Sequence, residues 1–402
     1  MDFRLTAEEF EMQELAREFA SREITPHVRE LEESGAFPRD LYTQMGEVGF
    51  FGIPFPEEYG GLGGTFVGLV AVVEEIGKAW QPLTGAFNLQ GMTVPFTILN
   101  WGTAQQRTSY VEKLIRCELL GFMALTEPGG GSDALGSMQT LARRVDGGWT
   151  LNGSKMFITN ANVADIGLVY AKTDPEAGAR GVTGFLVHTD AEGFSAQTIP
   201  TRGIGENMPT TALYLDDVFV PDEDVLGGED GVGNGFRYAM NGLDYGRLTI
   251  PARAVSLAQA SLELMIDYAK ERVVFGQQIG RYQMIQQLIA DSVAEIEAAR
   301  LLTYNSAFLK DQGEPSTRLS SISKYFAGEV AVKVTQRAVE TFGGYSLTSE
   351  LPLERNMSWA ILYHAGEGTA NVQRVLIAED ALAFRHLDRP LPTPRYLEES
   401  VS

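Results

Sequence analysis

Apolar residues recur along the first 120 residues with the spacing of three to four positions that marks one face of a helix. Thr6 followed by Glu9 forms a capping-box pattern, which predicts the start of the first helix. The face that this helix is expected to bury carries Phe10, Leu15 and Phe19. A second helix is predicted from about Pro38, with Leu41, Met45 and Val48 on its buried face. The glycine-rich stretch at 60–64 is interpreted as a plain turn, because neither glycine fingerprint for phosphate binding fits it.

From about residue 121 to 225 the pattern changes to short apolar runs bounded by turn residues, which is typical of strands. Such runs lie at residues 138–145, 149–152, 166–171, 183–188 and 212–220. Asp146, Gly147 and Gly148 supply a hairpin turn between the first two. We therefore expect a small antiparallel β domain in this part of the chain.

Long helical patterns return from about Gly235. Four helices are predicted, at residues 236–272 with a bend expected at Pro251, and at 283–310, 316–342 and 371–384. Helices of this length predict a bundle. The fold class is therefore α+β and multidomain, with an N-terminal helical domain (1–120), a central antiparallel β domain (121–234) and a C-terminal four-helix bundle (235–402).

Composition and charge narrow the range of functions. A length of 402 residues suffices for two to three domains, and a net charge of -21 disfavours nucleic acid and anionic membrane as partners. Cys117 is the only cysteine and the four histidines lack ligand spacing, so we expect neither a disulfide nor a metal site. No apolar run reaches the roughly 18 residues of a membrane span, and the first residues lack the layout of a signal peptide. The expected location is the cytoplasm.

The clearest candidate for chemistry is Glu367, a carboxylate between Gly366 and Gly368 just ahead of the apolar run of the last helix. A helix N-terminus favours negative charge by about 0.3 to 1 kcal/mol, and glycines let the backbone approach a ligand closely. The stretch therefore suits an ionised general base. A plain helix-entry turn is the alternative that the residues leave open.

Two stretches of the β region suit contact with a flat ligand. Residues 123–133 include three glycines flanked by hydroxyl side chains, and their backbone N–H groups suit a heteroaromatic or anionic ligand. Phe157 and Thr159 lie two residues apart in a predicted strand and so share a face, where one could stack and the other donate a hydrogen bond. A glycine-rich loop without a ligand and an ordinary core aromatic are the alternatives.

Five motifs resemble in their order and separations those of the acyl-CoA dehydrogenases, flavoproteins that oxidise acyl thioesters, and the resemblance extends from Glu8 to about Phe384. The motifs are Thr126-Glu127-Pro128 with Gly131-Ser132-Asp133, Asn152-Gly153-Ser154-Lys155 with Ile158-Thr159-Asn160, Arg272 with Phe275-Gly276, Phe342-Gly343-Gly344, and Glu367-Gly368-Thr369. Each motif is weak alone, but chance is an unattractive explanation for five in matching order.

The resemblance implies FAD as cofactor and assigns expected roles to residues. Those expected around the flavin ring are Met123, Leu125, Thr126, Phe157 and Thr159. Those expected to reach an FAD bound to a neighbouring subunit are Arg272, Phe275, Glu340, Gly343 and Gly344, with Thr369 and Asn371 completing the dinucleotide site. Those expected at the substrate are Ser132, Asp244, Arg247, Gly366 and Gly368, with Glu367 as the catalytic base.

The sequence departs from the commoner family pattern at four places. Glu340 stands in place of glutamine, Phe157 in place of tryptophan, and Ser358-Trp359 in place of an Arg-Asp pair. Gly366 replaces a bulky residue before the base, which suggests room for an acyl group that is branched or cyclic.

Two further positions bear on the substrate and the base. Some relatives carry the base at the position of Gly246, where glycine cannot serve, so Glu367 is the candidate of the two. Relatives that act on dicarboxylic substrates have an arginine around the position of Thr84, and its absence here disfavours a terminal carboxylate on the substrate.

The leading hypothesis is FAD-dependent α,β-dehydrogenation of an acyl thioester carried by coenzyme A or by an acyl carrier protein. Glu367 would take the α proton, and the flavin would accept the β hydride. The resemblance also implies a homotetramer, a dimer of dimers, that passes electrons to an electron transfer flavoprotein. The alternatives are a flavin monooxygenase or nitroalkane-type oxidase on the same fold, against which the retained Glu367 counts, and a non-catalytic acyl-thioester binder, in which intact flavin motifs would have no purpose.

Overall fold

The computed structural model describes residues 4–389 and 394–396. Its N-terminal part is helical, as predicted, and its helices are α1 (Ala7–Phe19), α2 (Val28–Ser34), α3 (Arg39–Val48), α4 (Phe66–Ala79), α5 (Thr84–Asn88), α6 (Val94–Trp101) and α7 (Ala104–Ile115). A π-helical turn, Leu89–Thr93, joins α5 directly to α6. Almost every residue from 84 to 101 is buried, so this segment lies inside the molecule.

The first helix begins with the predicted capping box. The Thr6 hydroxyl accepts a hydrogen bond from Glu9 N, and the Glu9 carboxylate accepts one from Thr6 N. The same carboxylate accepts a hydrogen bond of 2.8 Å from the Thr65 hydroxyl at the start of α4. Glu9 is therefore buried and sets which side of α1 faces inward.

This orientation changes part of the predicted core. Phe19, Leu41 and Met45 are buried as predicted. Phe10 is 53% exposed and Leu15 is 41% exposed, so the prediction that they share the buried face of α1 was wrong. Val48 at the end of α3 is also exposed rather than buried. In α1 the inward side carries Glu9, Ala16 and Phe19, because the carboxylate is held against α4.

Seven strands of the described chain form one sheet, and they are β1 (Gly121–Ala124), β2 (Leu141–Val145), β3 (Gly148–Thr159), β4 (Ile166–Lys172), β5 (Val182–His188), β6 (Phe194–Thr198) and β7 (Thr210–Pro221). Their order is β1-β4-β2-β3-β7-β6, with β5 paired on β4. The sheet is mixed rather than wholly antiparallel, because β4 pairs in parallel with β1 and, at one residue pair, with β2. In sequence, the β2–β3 hairpin comes between β1 and β4, and it supplies the long connection that a parallel pair of strands needs.

A bulge in β3 turns the side chain of Phe157, one of the predicted flavin-side residues, towards the surface. The pairing of β3 with β7 shifts between Lys155 and Ile158. Phe157 lies in this bulge with a φ of 60° and is 66% exposed, although Lys155 two residues earlier is fully buried. A bulge turns side chains in this way. Ile158 is buried whereas its neighbours Phe157 and Thr159 are not, which agrees with the shared face predicted for these two.

The C-terminal part consists of long helices, which are α8 (Gly235–Glu271), α9 (Gln283–Asp311), α10 (Thr317–Phe342), α11 (Leu353–Ala365) and α12 (Ala370–Ala381). Two short strands, β8 (Val273–Val274) and β9 (Gln277–Gln278), lie between α8 and α9. The sequence prediction missed α11, whose Trp359, Ala360 and Tyr363 share one apolar core with α8, α9 and α10. The helix α8 is continuous through Pro251. Because proline has no N–H, the carbonyl of Arg247 lacks its usual helical donor.

The predicted order of helices, sheet and helices is confirmed. The domain boundaries themselves stay a prediction. Helix α8 packs on α9, α10 and α11 and also on α4, α5 and α6, so it joins the C-terminal bundle to the N-terminal helices. Across residues 4–389 and 394–396, no helix has the length and apolar character needed to cross a membrane.

Candidate active site

The predicted base lies in the short connection between α11 and α12. Gly366 follows the last residue of α11, and Thr369 caps α12 by accepting a hydrogen bond of 3.2 Å from Val372 N. Glu367 has a φ of 51° and Gly368 a φ of 85°. The left-handed conformation of Glu367 is uncommon for an L residue and costs roughly 1 to 3 kcal/mol. Such strain is found most often at functional positions.

The two carboxylate oxygens of Glu367 differ in their surroundings. Oε1 accepts a hydrogen bond from the side-chain amide of Asn88, whose own oxygen accepts a hydrogen bond of 2.9 Å from the Thr93 hydroxyl. Oε2 is buried and has no hydrogen-bond partner within the described chain, although the residue as a whole keeps part of its surface accessible. One oxygen is thus anchored and the other has lone pairs free to receive a proton.

Burial raises the pKa of Glu367, because a surrounding of low polarity disfavours the charged carboxylate. Three cations oppose this effect, in the order Arg253, Arg247 and Lys324, as does the hydrogen bond from Asn88. Lys324, on α10, donates a hydrogen bond of 3.1 Å to the carbonyl of His364, and burial lowers its pKa to about 8. The carboxyl therefore has a raised pKa and nearby positive charge that stabilises its ionised form.

Two glycines leave space beside this carboxylate. A Cβ atom at Gly246 on α8 would lie 2.7 Å from Glu367 Oε2 and 2.8 Å from Asn88 Oδ1, so a side chain there would displace the base. A Cβ atom at Gly366 would meet only Leu362, 3.1 Å from its carbonyl oxygen and 3.8 Å from its Cδ1. The φ of Gly366 is -74°, which any L residue adopts. The backbone therefore does not require glycine at position 366.

Three of the predicted substrate residues lie together on one side of the base. Asp244 and Arg247, one turn apart on α8, form an ion pair of 2.7 Å. A Cβ atom at Gly368 would lie 3.9 Å from Arg247 Nη2 and 2.6 Å from Gln373 Nε2. Arg247 Nε and Gln373 Oε1 are buried and have no partner among the described residues. Ser132 is exposed in the turn after β1, and no hydrogen bond of the described chain joins it to this group.

A buried ion pair ties the end of β1 to β3. Three predicted flavin-side residues, Met123, Leu125 and Thr126, lie at this end of β1 or directly after it. Lys155 Nζ lies 2.8 Å from Glu127 Oε1 and 3.3 Å from the carbonyl oxygen of Leu125. The exposed ring of Phe157 follows two residues later. The ion pair therefore holds the two flavin-side segments against each other.

A cleft of about 480 Å³ lies at the C-terminal end of α8, and its lining includes Arg272, Glu340, Gly343 and Gly344. A Cβ atom at either glycine would meet nothing within 4 Å. Phe275 does not line the cleft and is 94% exposed between β8 and β9. Four of the predicted dinucleotide residues are thus brought together, and the fifth lies beside them on the surface.

The last two predicted dinucleotide residues lie elsewhere, at the start of α12. Thr369 is its N-cap, and Asn371 accepts a hydrogen bond of 2.9 Å from Arg374. Neither lines the cleft at the end of α8 within this chain.

The described chain thus holds a carboxylate with one free oxygen and, at the end of α8, an open cleft beside an exposed aromatic ring.

Comparison with known proteins identifies the family. Models of the acyl-CoA dehydrogenase N-terminal, middle and C-terminal domains match residues 6–118, 122–218 and 233–382. The chain is 37% identical to the short-chain-specific acyl-CoA dehydrogenase of Clostridium acetobutylicum, over 94% of this chain and 99% of that one. It is similar to the solved structure of a glutaryl-CoA dehydrogenase in complex with glutaryl-CoA, with a TM-score of 0.94 and 37% identity over 98% of this chain and 100% of that one. It is also similar to a chain in the structure of the electron transferring flavoprotein of Acidaminococcus fermentans, with a TM-score of 0.91 and 37% identity over 95% of this chain and 100% of that one. The chain belongs to the acyl-CoA dehydrogenase family.

Members of this family depend on FAD, and the residues of this chain fit that group. The aromatic rings of Phe157 and Phe275 are exposed, so both are accessible to a ligand. At Gly343 and Gly344 the backbone is open enough for a ligand to approach closely. Arg272 supplies a positive charge beside them, as a diphosphate requires.

Sequence reasoning missed four residues around the base, which are Asn88, Thr93, Arg253 and Lys324. Asn88 and Glu367 are 279 positions apart, and no local pattern connects them. Arg253 and Lys324 did leave a signal, because each is a lone charge in an otherwise apolar or small-residue stretch of a long helix. Charged residues are almost never fully buried unless they are paired.

Proposed function

We propose that this chain oxidises an acyl-CoA between its α and β carbons, with Glu367 as the base that removes the α proton. The single observation that carries this assignment is the carboxylate itself, whose Oε1 is held by Asn88 while Oε2 is buried without a partner among the described residues. A general base needs a fixed position, a lone pair directed at the substrate and a pKa near the working pH. Burial raises the pKa of Glu367 above its ordinary value, which is the direction that the last requirement calls for.

The surrounding charges support the same step. Removal of an α proton leaves negative charge on the thioester oxygen, and cations or hydrogen-bond donors near that oxygen lower the barrier. Arg247 and Lys324 lie close enough to Glu367 to lower its pKa, so they also favour negative charge in the space beside it. FAD, when bound, supplies the acceptor for the β hydride.

We assign the cofactor contacts as follows. The residues proposed for the flavin ring are Met123, Leu125, Thr126, Phe157 and Thr159, supported by the ion pair of Lys155 with Glu127 that joins their two segments. Those proposed for the rest of FAD are Arg272, Phe275, Glu340, Gly343, Gly344, Thr369 and Asn371. Those proposed for the coenzyme A thioester are Ser132, Asp244, Arg247, Gly366 and Gly368.

Thr369 is not part of the lining of the cleft at Arg272, which supports the proposal that two subunits share each FAD. The proposal of a homotetramer rests on the family. We further propose an electron transfer flavoprotein as electron acceptor, which rests on the family and on the similarity to a chain solved in a study of such a protein. Cytoplasmic location stays a prediction.

The acyl group that fits is bulky near the thioester. Tyr363 and His364, the two neighbours able to fill the space at Gly366, are engaged elsewhere. Tyr363 is buried and donates its hydroxyl hydrogen bond to Gln81 Oε1 at 2.5 Å, and His364 Nε2 lies 2.9 Å from Glu329 Oε1. Together with the unstrained φ of Gly366, this supports an acyl group branched or cyclic close to the reacting carbons. A carrier-protein thioester remains the alternative to coenzyme A.

The test is anaerobic titration of the purified holoprotein with a panel of acyl-CoA esters, followed by flavin absorbance. Bleaching of the yellow flavin by acyl-CoA without oxygen is the expected result. A monooxygenase or nitroalkane-type oxidase, which the comparisons do not favour, would show no such bleaching. A colourless protein that cannot be reconstituted with FAD would overturn the proposal.

A further inference from the structure

A second buried cation, Arg253, lies on α8 beyond the base. Its side chain is on the same face as Gly246, because seven residues make almost two full helical turns, and it starts about 10 Å further along the helix. Only 4% of Arg253 is exposed. Its Nε donates a hydrogen bond of 2.9 Å to the Thr84 hydroxyl, and its guanidinium lies 5.0 Å from the centre of the Tyr363 ring.

No carboxylate of residues 4–389 or 394–396 forms an ion pair with Arg253. Its hydrogen-bonding neighbours are the neutral hydroxyls of Thr84 and Tyr363. Lys155, by contrast, is matched by Glu127, whereas Lys324 is buried and, like Arg253, has no ion pair among the described residues. A buried charge without an ion-pair partner is costly, and a bound anion would offset that cost.

The surroundings of Arg253 are polar where an ordinary acyl chamber would be apolar. Thr84 donates to the carbonyl oxygen of Gln81 at 2.6 Å, and Tyr363 donates to the side chain of Gln81. All of these side chains are buried. An aliphatic chain ending here would bury polar groups against methylenes, which costs free energy, whereas a hydrogen-bonding end group would be satisfied.

The position of Arg253 relative to the base indicates what this end group belongs to. Glu367 marks where the α carbon must lie, since a base has to be within hydrogen-bond reach of the proton that it takes. Gly246 lies beside Glu367 Oε2, and Arg253 lies almost two turns further along the same face of α8. An acyl group that extends from the α carbon along this face of α8 would reach the guanidinium.

We propose that Arg253 binds a carboxylate at the far end of the acyl group, so that the substrate is the mono-coenzyme A thioester of a dicarboxylic acid. This inference rests on the proposed function of Glu367. It reverses the expectation that the lack of an arginine at position 84 disfavours a terminal carboxylate on the substrate. The arginine is absent from position 84, but the guanidinium of Arg253 reaches the Thr84 side chain from α8 and brings the positive charge to that point. Thr84 and Tyr363 orient the guanidinium, and its remaining N–H groups are left to contact the carboxylate.

The test is equilibrium binding, measured by calorimetry on the FAD-loaded Glu367→Gln protein, in which chemistry is blocked. The ligands are glutaryl-CoA and adipyl-CoA, each paired with its uncharged terminal amide. Tighter binding of the acids than of the amides is expected. Arg253→Gln in the same background should weaken the acids about 100-fold and the amides less than about threefold, because it removes one partner of a buried charge pair. The control is Arg300→Gln, which removes a partly exposed arginine from α9 and should leave the acid-to-amide ratio unchanged.

Equal affinity of acids and amides before any change at position 253 would overturn the inference. An equal loss of affinity for acids and amides in Arg253→Gln would also overturn it. That result is expected if Arg253 acts only on the pKa of Glu367 or on folding. If Arg253→Gln does not fold, Thr84→Val keeps the charge but removes its orienting hydroxyl, and it should reduce the preference for acids in the same direction. The proposed function fails separately, if no acyl-CoA reduces the flavin of the unmodified enzyme.

Discussion

The buried pair of Lys155 and Glu127 allows a quantitative prediction about what holds the flavin-side segments together. Lys155 is fully buried, and its Nζ lies 2.8 Å from Glu127 Oε1. Burial lowers the pKa of Lys155 to about 8, and the pKa of Glu127 is lowered despite its own burial by the ammonium and by hydrogen bonds from Thr140 and Gln139. The pair is therefore ionised at neutral pH, and each charge depends on the other.

Lys155→Met removes one charge and leaves a methylene chain of similar shape. Breaking a buried pair from one side costs about 3 to 5 kcal/mol. We expect the lower end, about 3 kcal/mol, because Glu127 keeps its bonds from the Thr140 hydroxyl and from two backbone N–H groups. A loss of about 3 kcal/mol corresponds to a change of roughly 100-fold in an equilibrium constant.

Hydrogen exchange of the backbone amides of β3 measures this loss where it occurs. In Lys155→Met these amides should exchange roughly 100-fold faster than in the unmodified protein, because exchange follows the free energy of local opening. FAD retention should fall in parallel. Lys270→Met, which removes an exposed lysine from α8, is the matched control and should change neither. The double variant with Glu127→Gln should recover part of the loss, since no charge is then left unpaired. Unchanged exchange in Lys155→Met, or no recovery in the double variant, would refute the reasoning.

Three further predictions follow from other parts of the structure. Gly366→Tyr should lower kcat/KM on branched or cyclic acyl-CoA esters at least about tenfold more than on short straight-chain esters, and equal losses would show that the open space does not serve the substrate. Arg272→Ala should lower FAD occupancy and the tetramer fraction together, as measured by flavin absorbance and light scattering, because a ligand bound only by the assembly stabilises it; full FAD occupancy in a monomer would contradict this. Burial raises the pKa of Asp311, which accepts hydrogen bonds from the first backbone N–H groups of α4, to about 6, so the folded state holds this proton more tightly than the unfolded chain does. The stability that this proton contributes is present at low pH and is lost as pH rises through about 6. The melting temperature of Asp311→Asn should therefore rise relative to that of the unmodified protein between about pH 4 and pH 7. A constant difference between the two proteins would refute the assignment.

Local patterns predicted what is local in this structure. The capping box at Thr6, the hairpin at Gly147 and the long helices α8, α9 and α10 all depend on neighbouring residues, and the structure has them where they were predicted. The start of a helix just after Glu367 was also predicted, because Thr369 and the two glycines lie close to Glu367 in sequence.

Features that depend on distant residues were missed or predicted wrongly. Phe10 and Leu15 were placed on the buried face of α1. The hydrogen bond from Thr65 to Glu9 instead holds the side of α1 that carries Glu9 against α4, so Phe10 and Leu15 are exposed. The parallel pairing of β1 with β4 depends on how a long connection folds back. The contact of Asn88 with Glu367 has no sequence signal at all, since it exists only once α5 and the α11–α12 connection lie against α8.

The helix α11 was missed for a different reason. Its inward residues Leu353, Asn356, Trp359, Ala360 and Tyr363 follow helical spacing, but the stretch is short, mixed in polarity and begins after Pro352. Tertiary packing against α10 and α8 stabilises it more than its own pattern does. The consequence for the site is direct, because the end of α11 sets where Glu367 lies.

The measurement that tests the central claim most directly is anaerobic single-turnover reduction of the flavin by acyl-CoA in Glu367→Gln. The amide keeps the size of the side chain and removes its basic lone pair, so the variant should retain FAD and bind substrate but reduce the flavin at least about 100-fold more slowly. Glu379→Gln, an exposed glutamate on α12, is the control and should behave as the unmodified enzyme does. A rate in Glu367→Gln close to that of the unmodified enzyme would contradict the account, and the base would have to lie elsewhere.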